Sequence, residues 1–185
     1  MDDHSGEEAS VTSTRELWRE ILAPIRAEYR RLGFRSDGSF FYRLSDAGRV
    51  VACVEYTKDW RYEPECLHFS VGLSVFMLRL YDPRRQELPF PRLRHHENPH
   101  WEDSLTPDGS FDYAWEIEPG ESPAALIAWH VEAASTLAVP RLDEVASEGA
   151  QFALLSEGAE LRISEKQVSD YLGALRALRA GEASR

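Results

Sequence analysis

The sequence predicts an α+β domain: an N-terminal helix followed by strands forming an antiparallel β-sheet with helices packed on one face, then C-terminal helices. Three observations carry this. Apolar residues recur at helical spacing between Trp18 and Leu32, the spacing drops to every second residue from about residue 39 to residue 80, and it returns to the helical period after residue 122. Strands that follow one another through short connections pair antiparallel, whereas a doubly wound nucleotide fold needs strands and helices in alternation.

Residues 1–12 are polar and acidic and are read as a disordered tail. Ser13-Thr14-Arg15-Glu16 has the capping-box pattern that opens a helix. Trp18, Leu22, Ile25, Tyr29 and Leu32 line its apolar face, with Leu17 and Ile21 widening it, and Gly33 stops it. Pro24 lacks a backbone donor and is expected to kink this helix or divide it. Residues 39–44 and 50–56 flank the turn Asp46-Ala47-Gly48 and read as a β-hairpin. Residues 68–80 alternate through Phe69, Val71, Leu73, Val75 and Met77, the pattern of a strand with one buried face, with a bulge expected near Gly72. From residue 82 to 109 prolines punctuate an irregular stretch, with a short strand expected near residues 92–95. Residues 112–117 read as another strand. Ser122-Pro123 opens a helix whose face holds Leu126, Trp129, His130, Ala133 and Leu137, and Pro140 is expected to end it. A short helix over 142–148 and a last helix over 164–180 complete the order, while residues 152–155 take no secure assignment. The domain is placed at residues 13–140, with 141–185 as a helical extension packed on it.

The middle of the chain resembles a known family. "PIRAEYRRLGFRSDGSFFYRLSDAG", residues 24–48, is similar to the opening of a bacterial family known only as domain of unknown function 4304. Leu32-Gly33-Phe34, Gly38, Phe40-Phe41 and Arg43 stand where that family has a Leu-Gly-Phe helix stop, a turn and an aromatic strand. "HFSVGLSVF", residues 68–76, resembles its third strand, and His100-Trp101 and Trp115 fall at its later aromatic positions. The resemblance spans roughly residues 17–135. It implies the α+β fold and brings no activity, cofactor or catalytic residue.

Composition excludes several functions. The net charge of −11 disfavours nucleic acid and anionic membrane surfaces, and favours a basic protein partner. No apolar stretch is long enough to cross a bilayer and the acidic N-terminus is no signal peptide, so a cytoplasmic location is expected. Cys53 and Cys66 form no C-x-x-C pair and are read as small buried hydrophobes in a reducing compartment. Basic residues are nearly all Arg, which points to a GC-rich bacterial genome.

His96-Glu97-Asn98-Pro99-His100 spells the H-E-x-x-H of zinc peptidases. That motif needs an unbroken helix to bring both imidazoles to one face. Pro99 removes a helical donor and pushes Asn98 out of helical geometry, so the stretch reads as a loop held by Trp101. No catalytic residue, metal or cofactor is expected. The cluster His95, His96 and His100 leaves adventitious metal binding open. His130, beside Trp129, is read as a core or boundary histidine.

Candidate binding residues are Trp60, Arg61 and Tyr62 on a connection between strands, and His100, Trp101 and Trp115; the residue types are those of binding anchors. The leading expectation is a non-catalytic protein-binding module, in concrete form an acidic neutraliser of a basic effector. The alternative is a small-molecule-binding protein or enzyme using an aromatic pocket on the sheet, lined from Phe40, Tyr42, Tyr56, Trp101, Tyr113 and Trp115, with His100 or His130 as its polar group.

Overall fold

The computed structural model describes residues 13–59, 66–81, 90, 98–110, 113–157 and 164–183. The expected tail, the Trp60-Arg61-Tyr62 connection, the short strand near 92–95 and residues His95 to Glu97 lie outside them.

Helix α1 (Thr14–Arg31) begins at Ser13, whose hydroxyl accepts from the Glu16 amide while the Glu16 carboxylate accepts from the Ser13 amide. It ends as the sequence predicts: Gly33, at φ 85°, lets the Phe34 amide reach the Tyr29 carbonyl and its own amide reach Arg30. Pro24 does not divide the helix, which continues past it as one element. A proline inside a helix costs a hydrogen bond, and burial of Ile21, Leu22, Ile25 and Tyr29 on either side of it offsets that cost.

Strands β1 (Arg35–Asp37), β2 (Phe40–Ser45), β3 (Val50–Asp59) and β4 (Leu67–Met77) come next in the chain, each antiparallel to its successor. Two short strands, β5 (Trp101–Ser104) and β6 (Trp115–Ile117), share the outer edge of β4, β5 at Gly72 to Val75 and β6 at Leu67 to Phe69. The β2–β3 turn bends through left-handed backbone at Asp46, Ala47 and Gly48. Pairing of β3 with β4 runs without interruption from Val50↔Met77 to Asp59↔His68, so the bulge expected at Gly72 is absent. Gly72 instead pairs in register with both Glu55 and Ser104.

Helix α2 (Ala124–Ala133), a π-helical turn (Ala134–Ala138) and α3 (Val139–Val145) form one continuous helical run. Pro140 therefore does not end the helix. It sits in the first turn of α3, where the widened π turn has already shifted the hydrogen-bond register and the missing donor is not needed. The inserted residue also rotates the succeeding positions by roughly 100°, which carries Leu137 off the buried face to 47% exposure and brings in Ala138. Helix α4 (Glu148–Glu157) takes in the unassigned residues 152–155, and α5 (Glu165–Ala183) starts from a second capping box at Ser164. No helix among the described residues is long and apolar enough to cross a membrane.

The helices cover one face of the sheet. Phe41 of β2, Val54 and Tyr56 of β3, and Phe69, Leu73 and Val75 of β4 point there, with Trp115 and Ile117 of β6. They pack in a single core with Ile25 and Tyr29 of α1, Ala134, Leu142 of α3, Leu155 of α4 and Leu175 of α5. Tyr29 stacks on Phe41 at 4.7 Å between ring centres, and Trp18 meets Phe69 edge-on at 5.3 Å.

Candidate functional site

The second face of the sheet is built differently at its two ends. Along β3 its residues are Val51 and Cys53, then Glu55, Thr57 and Asp59; along β4 they are Phe76, then Ser74, Gly72, Ser70 and His68. Antiparallel register places the apolar ends together. There Phe40, Val51, Cys53, Phe76 and Tyr81 form a second, smaller core with Tyr42, Leu78 and Phe90 packed on it. The polar ends also coincide, and they line an open cleft of about 500 Å³.

Four acidic residues line that cleft, Glu55 and Asp59 from β3 and Glu102 and Asp103 from β5, and of these the Asp103 carboxylate pairs with Arg141 of α3. Hydroxyls of Thr57, Ser70, Ser74 and Ser104 lie between them, and Tyr113 closes one side. Gly72 is at the centre of the floor. A Cβ built there meets nothing within 4 Å, so the absence of a side chain leaves the middle of the cleft open. One residue row further along, His68 pairs with Glu116 of β6, its Nε2 lying 3.5 Å from the Glu116 carboxylate, and Cys66 stands beside them.

The sequence-predicted aromatic and histidine positions lie elsewhere. Trp101 and Trp115 belong to the principal core on the helical side. His100 is fully buried: its Nδ1 accepts from the Met77 amide at 3.1 Å, and its ring lies 4.3 Å from that of Tyr171. Accepting at Nδ1 fixes the proton on Nε2. The Tyr81 hydroxyl donates to the Asn98 carbonyl at 2.9 Å and sits 3.1 Å from the same Nδ1. Residues Asn98 to His100 are not helical, the His100 amide donates to the Val75 carbonyl, and β5 begins at the next residue. His100 thus leads into a strand, and the backbone at Pro99 is not that of a zinc-peptidase helix.

His130 is fully buried among Tyr56, Phe69, Trp115 and Trp129, with Nδ1 3.3 Å from the Tyr56 hydroxyl. Burial pushes the His130 imidazole down to about 3 and that of His100 down to about 3, so both are neutral at pH 7. The aromatic side chains named as a pocket therefore divide: Tyr56, Trp101 and Trp115 fill the core, Phe40 and Tyr42 pack with Phe90 on the other face, and Tyr113 alone borders the cleft. Cys53 is buried as expected. Cys66 is not: it is half-buried at the head of β4, and neither cysteine forms a disulfide.

Sequence reasoning missed the cleft because it is a property of register, which pairs Glu55 with Gly72 and Gly72 with Ser104 across three strands. It also missed Cys66 and His68. The signal was present, since residues two apart on a strand share a face.

No protein family, curated protein or solved structure matches the chain.

Proposed function

We propose that the chain is a non-catalytic binding module whose polar sheet face receives a basic segment of a partner protein. The observation that carries this is the cleft on the second face: a glycine-floored groove with carboxylates from two strands on its rim. Its sign agrees with the chain as a whole, at −11 net charge, so the long-range field draws a cationic partner toward it. The two faces divide the labour. The helical side carries the principal core, and the polar end of the other side presents backbone-rigid polar groups on adjacent strands. Neutralisation of a basic effector is the concrete form of this reading.

The test is a titration with a fluorescent oligoarginine peptide at low and high salt. Gly72→Leu fills the floor without changing charge and is expected to weaken binding at least about tenfold, equivalent to about 1.4 kcal/mol. Glu144→Lys, which removes an exposed carboxylate on α3, is the control for non-specific attraction. Unchanged binding in Gly72→Leu together with a loss in Glu144→Lys would show that the peptide reads net charge and not the cleft, and would refute the proposal.

A further inference from the structure

We propose that Cys66, His68 and Glu116 form a binding site for a divalent transition metal, with zinc as its natural occupant. His68 of β4 and Glu116 of β6 are direct cross-strand partners, and Cys66 immediately precedes β4. One ligand atom from each residue lies within 4.8 Å of the other two. A tetrahedral zinc ion needs ligand atoms roughly 3.5 Å apart. The histidine nitrogen and a glutamate oxygen are already at 3.5 Å, so a rotamer adjustment of Cys66 closes the set.

The donor types select the metal. A thiolate, an imidazole and one carboxylate suit zinc, whereas magnesium and calcium require oxygen donors. Cys66 binds as the thiolate and releases its proton to solvent, His68 binds as the neutral imidazole, and Glu116 supplies one carboxylate oxygen. His68 is buried and so is held in place, while the Glu116 side chain is exposed and gives the ion a route in. Asp59, opposite His68 on the other side of β4, puts a further carboxylate on the same face. The site lies at the end of the cleft, but the inference does not depend on a partner binding there.

Untagged protein stripped with a chelator and titrated with Co²⁺ provides the test. Wild type is expected to take up a single equivalent with the visible spectrum of a tetrahedral site and a thiolate-to-cobalt charge-transfer band, and Zn²⁺ should displace it. Cys66→Ser should abolish the charge-transfer band and His68→Ala should weaken uptake at least tenfold, while His96→Ala leaves both unchanged. Should Cys66→Ser fail to fold, alkylation of the wild type gives the answer. Zn²⁺ should slow modification of Cys66 at least tenfold, with buried Cys53 as the internal reference. Failure to bind one equivalent, a charge-transfer band that survives Cys66→Ser, or alkylation indifferent to Zn²⁺ would each overturn the proposal.

Discussion

Acidification from pH 7 to pH 5 is expected to destabilise this protein through two side chains, His100 and His130. Both are fully buried, and burial holds each at about 3 against an ordinary value of 6.5. Between those two values the unfolded chain binds a proton on each imidazole that the native state does not. The stabilisation is therefore complete above pH 6.5 and is lost as the pH falls. Linkage gives about 2 kcal/mol for each histidine between pH 7 and pH 5, and about 4 kcal/mol for the pair. Relief of carboxylate repulsion in so acidic a chain acts in the opposite direction, so the measurement belongs at high ionic strength. Urea unfolding followed by tryptophan fluorescence at pH 7, 6 and 5 reads the slope. His130→Phe keeps the ring volume, sets aside one weak contact to Tyr56, and should remove about half of the pH dependence. His100→Phe should remove the other half but should also cost about 1–3 kcal/mol at pH 7, because the buried Met77 amide loses its acceptor. A stability difference below about 1 kcal/mol between pH 7 and pH 5 in wild type, or an unaltered slope in both variants, would refute the reasoning.

Two further outcomes test the packing. The Asp46 carboxylate accepts from the Glu148 amide at the start of α4 and from Arg49 at 2.7 Å, contacts that hold it below the usual carboxylate range; Asp46→Ala should cost about 1 kcal/mol in thermal unfolding, and Asp46→Asn, which keeps an acceptor and tolerates the left-handed backbone, should recover most of it. Leu142 lies beyond Pro140 yet is completely buried in the principal core, so Leu142→Ala should cost about 2–5 kcal/mol in chemical denaturation while leaving a single cooperative transition; a separate early transition would show that α3 to α5 fold apart from the sheet.

Much of the fold was legible because its cues are local. Ser13 with Glu16, the helical run to Leu32 and the left-handed Gly33 are decided within a few residues of one another, and α1 obeys them. The alternation from Phe69 to Met77 likewise marks β4 without reference to any neighbour. Expectation and structure part where a local rule meets a compensation that no short window contains. Pro140 ought to stop a helix, but the π turn before it removes the need for its donor, and the same turn moves Leu137 outward. Gly72 suggests a bulge when viewed alone, whereas its strand is continuous on both edges.

The candidate site was not legible for a deeper reason, which is that it is made by register. Residue by residue, β3 turns from Val51 and Cys53 to Glu55, Thr57 and Asp59 on its second face, and β4 turns from His68 and Ser70 to Phe76. Each strand is half apolar and half polar on that face, and neither half is a site by itself. Antiparallel pairing centred on Val54↔Leu73 sets like halves side by side. A slip of one residue would exchange the two faces of one strand, burying carboxylates under the helices. The apolar residues of the principal core thus fix the register, and the register in turn assembles the acidic cleft, brings Gly72 to its centre and sets His68 opposite Glu116. The stability of one face and the chemistry of the other are consequences of the same strand alignment, so a variant that shifts this register should lose the cleft and the Cys66–His68–Glu116 cluster together.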